Sequence, residues 1–186
     1  PAGATSFRQA MDMAAEVFQA LKKNLHKAGF ATTVGDEGGF APSLGNNRAP
    51  LEQLVQAVQA AGYTLGTDIL IALDVASSEL FKDGMYHLAS EGKVVSPTDL
   101  IAMYAEWVSA YPIVSIEDAL DQDAWADYAT LTAKLGDKVQ LVGDDLFVTN
   151  VERLQRGINE KVDNSILIKL NQIGTVTETV DAIDLA

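Results

Sequence analysis

Three apolar stretches of the sequence each run into a carboxylate, and a fourth runs into a lysine. Asp74 follows Ile69–Leu73, Glu117 follows Ile113–Ile116, Asp144 follows Val139–Gly143, and Lys169 follows Ile166–Ile168. An ammonium at a strand end is costly to bury unless it is paired or used. Taken alone, Lys169 could equally extend its apolar stem past the strand and leave the charge in water. The three acids change that reading. The intervals are 43 residues (74 to 117), 27 (117 to 144) and 25 (144 to 169), each long enough for one crossover helix. Right-handed crossovers between parallel strands place the C-terminal strand ends on one side of the sheet. Three carboxylates and one amine would then face a single cavity, the arrangement of a metal site with a base beside it.

The elements that must position these residues are legible in order. Ser6 opens an amphipathic helix over Phe7–Lys27, with Gln9 at the capping-box position and Gly29 as the stop. Met11, Ala14, Ala15, Phe18, Leu21 and Leu25 fall at helical spacing and are expected in its core face, with Lys22 and Lys23 outside. His26 reads as a charge near a helix end rather than a ligand. Ala31–Val34 is short and β-prone. The loop Gly35-Asp36-Glu37-Gly38-Gly39-Phe40-Ala41-Pro42 then needs unusual backbone angles or close backbone approach. Its spacing matches neither a Walker loop nor a dinucleotide fingerprint, and an ordinary acidic turn stays open.

Pro50 begins a second helix over Leu51–Ala61 that buries Leu51, Leu54, Val55 and Val58. After Asp74, Leu80–Leu88 reads as a hairpin about Asp83-Gly84, with His87 on its outer face. Ser96-Pro97-Thr98-Asp99 starts a helix that turns Leu100, Met103, Tyr104 and Trp107 inward. Further helices are expected over Trp125–Leu135, after Thr149-Asn150, and from Thr175 onward. This is α/β alternation with about five sheet strands, against the eight of a closed barrel. It suits an open sheet or part of a barrel. A sequence that ends within a helical segment favours the barrel.

Composition limits what the molecule does. The chain of 186 residues is 48% hydrophobic, enough for a sizeable core. A formal net charge of −13 disfavours nucleic acid and anionic membrane surfaces as partners, and no apolar run is long enough for a membrane span. The absence of cysteine excludes disulfides and thiolate metal sites and is compatible with the cytosol.

Five segments together resemble the enolase family, with bacterial members the closer likeness. They are Gly35–Pro42, Leu73–Glu79, Ser115–Asp118, Gly143–Asn150 and Ile168–Gly174, in family order across essentially the whole chain. The resemblance implies part of an enolase-type (β/α)8 TIM barrel over residues 1–186 and a reversible dehydration of 2-phosphoglycerate to phosphoenolpyruvate. It implies that Asp74, Glu117 and Asp144 hold Mg2+ and that Glu117 and Asp144 also meet substrate. Lys169 would be the base and Glu37 the acid on the leaving hydroxyl, both touching substrate. Asp118 and Asp145 are not family ligands and read as supporting groups that cap the loop.

A hard cation suits an all-oxygen donor set, and a lysine base must be neutral, a state that burial and nearby cations favour. Enolase-superfamily sites are themselves a standard example of a lysine base working with magnesium. The family further implies a cytoplasmic homodimer, with surface display undecided. It also has an N-terminal domain and substrate-gripping residues outside residues 1–186, so these residues alone are expected to lack appreciable turnover. Exposed edges of a partial barrel predict association. The other readings are a different superfamily enzyme, such as a racemase, or a non-catalytic enolase-derived segment used for assembly or surface binding.

Overall fold

The computed structural model describes residues 1–186. The chain divides into two compact units, Pro1–Leu70 with Leu88–Lys93, and Ile71–His87 with Val94–Ala186.

The first unit is built on α1 (Phe7–Lys27) and α2 (Ala49–Ala60), which pack together. Ser6 Oγ accepts from the Gln9 amide at 3.2 Å. The reciprocal half of the expected capping box lands one residue earlier. Gln9 Oε1 accepts from the amide and hydroxyl of Thr5 at 2.7 and 2.8 Å. Gly29, at φ +82°, reverses the chain so that Phe30 N donates to Leu25 O. The inward face of α1 differs from expectation. Met13 and Leu25 are buried, Phe18 and Leu21 are half-buried, and Met11, Ala14 and Ala15 are exposed. The deciding row is Met13, Val17, Leu21 and Leu25, four residues apart on one helix side. In α2, Leu51 and Val58 are buried as expected, while Leu54 and Val55 are half-buried. The β-prone segment 31–34 forms only one bridge, Val34 to Phe40, across the glycine-rich loop.

The second unit holds a parallel sheet of four strands, one fewer than expected: β1 (Ile71–Asp74), β5 (Ile113–Glu117), β6 (Gln140–Gly143) and β7 (Ser165–Ile166), in the order β1-β5-β6-β7. Between β1 and β5 lie β2 (Phe81–Lys82), β3 (Met85–Leu88) and β4 (Lys93–Val95). β2 and β3 form the expected hairpin, with Asp83 and Gly84 both at positive φ and His87 exposed. The crossovers carry α3 (Pro97–Ala110), α4 (Trp125–Leu135) and α5 (Val151–Glu160); α6 (Leu170–Ile173) and α7 (Val176–Leu185) follow β7. Ser96 and Asp99 form a complete capping box on α3. That helix buries Leu100, Ile101, Tyr104 and Trp107, and Met103 is only half-buried. β7 departs from the expected doubly covered strand. It pairs on one side only, with β6, and Ile166, Leu167 and Ile168 are half-buried.

Three buried tyrosines stitch the segment that follows β5. Tyr104 donates to Ala119 O, Tyr128 donates to Leu120 O, and Tyr86 accepts from Asp121 N, all at 2.8–2.9 Å. Burial pushes the Tyr86 phenol up to about 12, and each phenol has the partner that a buried hydroxyl requires. Under the end of β6, Phe147 fills the space beside two glycines. A β-carbon at Gly143 would lie 2.5 Å from its Cδ2, and one at Gly157 2.5 Å from its Cε1.

Candidate metal and proton-transfer site

Asp74 and Glu117 are directly paired across β1 and β5, so their side chains leave adjacent strands at the same level. Backbone bonds carry this register beyond the strands: Val75 N donates to Glu117 O, and Ser77 N to Asp118 O. Ser77, fully buried, adds a hydroxyl bond of 2.8 Å to Ala119 O. Asp74 is exposed, and its Oδ1 accepts from Ala76 N at 3.2 Å. Asp144, just past β6, is 6% exposed. Lys169, just past β7, donates from Nζ to Asp144 Oδ2 at 2.5 Å.

Glu117 feels the charges of the other three strand-end groups. Glu117 is held above the usual carboxylate range by burial first, then by the charges of Asp74, Asp144 and Asp118, with Lys169 pulling the other way. Carboxylates thus outnumber the one ammonium in this group, and the surplus negative charge is what a divalent cation would neutralise. The donors are all oxygens, which fits a hard ion such as magnesium rather than a soft one.

Lys169 is the one cation among these strand-end acids. Its ammonium is held above the ordinary lysine value, chiefly by the bond to Asp144 and further by the fields of Asp144, Glu117 and Asp145. Burial works against this, but the side chain is 42% exposed and the carboxylates win.

The tightest knot of carboxylates is a different trio, Asp118, Asp144 and Asp145, whose oxygens lie within 4.8 Å of one another. Asp118 has another task there. Its two oxygens accept from the amides of Asp144 and Asp145, each at 2.9 Å, and its backbone sits at φ 43°. Burial pushes its carboxyl up while those two bonds pull it down. Asp118 therefore pins the turn that presents Asp144, the loop-capping role expected of it.

Glu37 belongs to the first unit. It is exposed at the tip of a loop closed by Gly35 N to Gly39 O and Gly38 N to Gly35 O, both 2.9 Å, with Gly38 at φ +78°. The far arm of the loop is anchored by Phe40, whose ring stacks on Phe18 with centroids 4.4 Å apart.

Two residues of the second unit had no role in the sequence reading beyond the motifs containing them. Thr149 appeared only as part of a helix start, yet Asn150 alone caps α5, accepting from Glu152 N and Arg153 N. Gln172, on α6, donates to Asp144 Oδ1 at 2.7 Å. Neither a threonine before a cap nor a glutamine in a polar turn carries a spacing signal. The family model of the enolase C-terminal TIM barrel domain matches residues 1–186.

Proposed function

The chain belongs to the enolase family through its C-terminal TIM barrel domain, and from that premise we propose that it carries the magnesium ligands and proton-transfer groups of a reversible 2-phosphoglycerate dehydration. The observation that carries this reading is the meeting of Asp74, Glu117 and Asp144 with Lys169 at four adjacent strand ends. Asp74, Glu117 and Asp144 would hold the ion, with Glu117 and Asp144 also bordering the substrate carboxylate. Bound magnesium would supply positive charge beside a carboxylate whose neighbouring carbon is losing a proton.

The residues do the rest. Lys169, relieved of its carboxylate partners, accepts the proton from the carbon next to the substrate carboxylate. Glu37 donates a proton to the hydroxyl on the following carbon, which leaves as water, and the carbon–carbon double bond of phosphoenolpyruvate forms. The glycines around Glu37 let the backbone approach a ligand closely. The product reverses the same steps, so both groups exchange protonation states in the two directions. As in the family at large, we place this activity in the cytoplasm, in a homodimer.

Magnesium calorimetry tests the core of the proposal. The parent chain is expected to bind the ion, and Asp144→Asn to weaken binding at least roughly tenfold by removing a ligand charge. Equal affinity in parent and variant would overturn the assignment and favour a segment whose acids are not used for metal binding.

A further inference from the structure

Asp144 is held from both sides. Oδ2 accepts from Lys169 Nζ, and Oδ1 accepts from Gln172 Nε2 at 2.7 Å. The Gln172 carbonyl, Oε1, accepts from the Thr149 hydroxyl at 3.1 Å. Thr149 Oγ1 in turn accepts from the backbone N–H of Lys169 at 2.8 Å. The bonds close a cycle that begins at the main chain of Lys169 and returns to its own ammonium.

Every donor and acceptor in that cycle has one consistent direction. The Thr149 hydroxyl accepts once and donates once. The Gln172 amide can sit only one way round, because the reverse orientation would set its carbonyl oxygen against the Asp144 carboxylate. Thr149 is fully buried, so its hydroxyl has no water to fall back on. It also stands at φ 55°, in a region a β-branched residue rarely enters, which its surroundings must enforce. Gln172 is carried on α6, whose last turn is closed by Gly174 at φ +101°.

We propose that Thr149 and Gln172 are a positioning pair, fixing the orientation of the Asp144 carboxylate and its distance from the Lys169 amine. The inference rests on the functional reading above. Neither residue touches the ion or the substrate in this scheme. Thr149 orients Gln172, and Gln172 orients Asp144. Outer partners of this kind typically contribute roughly 10–100-fold to metal affinity or activity.

That order of action makes a sharp test. Gln172→Met is expected to weaken magnesium binding, measured calorimetrically, by roughly 10–100-fold. Thr149→Val should weaken it in the same direction, and Thr149→Ser, which keeps the hydroxyl, should restore it. The double variant should bind no worse than Gln172→Met alone, since Thr149 acts only through Gln172. In a parent that binds the ion, additive losses, or no loss in either single variant, would overturn the pairing. A second readout separates this inference from the functional reading. In the metal-free parent, the Gln172 side-chain amide should give distinct, slowly exchanging NMR signals that Thr149→Val shifts and Thr149→Ser preserves. If the parent failed to bind magnesium while those signals behaved as described, the functional reading would fall and the pairing stand. Averaged, fast-exchanging signals in the parent would end the pairing whatever the calorimetry showed.

Discussion

Asp163 offers a measurement whose size follows from its surroundings. It lies between α5 and β7, with both carboxyl oxygens buried and without a hydrogen-bond partner. Burial, helped by the charge of Asp118, pushes its carboxyl up to about 8. The buried Tyr128 phenol also feels its charge, and its backbone amide donates to Thr132 Oγ1 at 2.9 Å. A free aspartate ionises near 3.9. Between that value and about 8 the folded chain therefore holds a proton that the unfolded chain has released. The contribution of the protonated group is fully present below pH 4, declines as pH rises, and is gone above the folded value. At pH 7 keeping the proton costs roughly 4 kcal/mol, a figure that holds for any folded value above 7.

Asp163→Asn removes this penalty, and asparagine tolerates the φ of 55° at this position. A buried amide without partners costs about 1–3 kcal/mol. The expected net gain at pH 7 is therefore about 1–3 kcal/mol, shrinking to nothing or reversing near pH 4. Urea unfolding followed by tryptophan fluorescence is the assay. Both tryptophans, Trp107 and Trp125, lie in the same unit as Asp163 and report its unfolding. The diagnostic is the slope: the advantage of the variant should grow by up to about 1.4 kcal/mol per pH unit across the window. A stability difference that stays flat from pH 4.5 to 8 would refute the reasoning.

Two further outcomes follow from the site. Lys169→Gln removes a cation that competes for the same carboxylates, so magnesium should bind at least as tightly by calorimetry. Turnover of the native polypeptide, by contrast, should fall by roughly 10²–10⁴-fold; loss of both together would count against Lys169 as the base. Asp118→Asn keeps the shape and the backbone angle but sets an NH2 group against one of the two amides that Asp118 accepts from. It should cost about 1–3 kcal/mol in the same unfolding assay, and parental stability would show that the turn before Asp145 needs no anchor.

Much of this arrangement could be read before any coordinates. Every strand that ends in a site residue was visible as a largely apolar run stopping at a charge, because strands of a parallel sheet are mostly covered by their crossover helices until they reach the sheet edge where the site residues stand. Ser96, Asn150 and Thr175 marked helix starts because capping is local chemistry, decided within three residues. Tertiary choices were less visible. The inward row of α1 runs through Met13 rather than Met11, and which of two neighbouring apolar rows faces inward depends on a partner that a single helix cannot reveal. β7 is shorter and less covered than its composition suggested, since an apolar run cannot say how many neighbours its strand has. The bond between Lys169 and Asp144, 25 residues apart in the chain and 2.5 Å apart in space, has no local signature in the sequence. Thr149 and Gln172, 23 residues apart, meet only because the turn before α5 and the short helix α6 converge.

The ring of Phe147 occupies the volume of two side chains that residues 143 and 157 do not have. Its edge atoms stand where the β-carbons of both would be, so the three positions share one allotment of space. Homologues that drift at one of them are expected to drift in concert. An alanine at 143 or 157 should travel with a smaller residue at 147, and a lone change should be rare. Because Gly143 directly precedes Asp144, that bookkeeping of volume sets how freely the surroundings of the acid can vary while the acid itself stays in place.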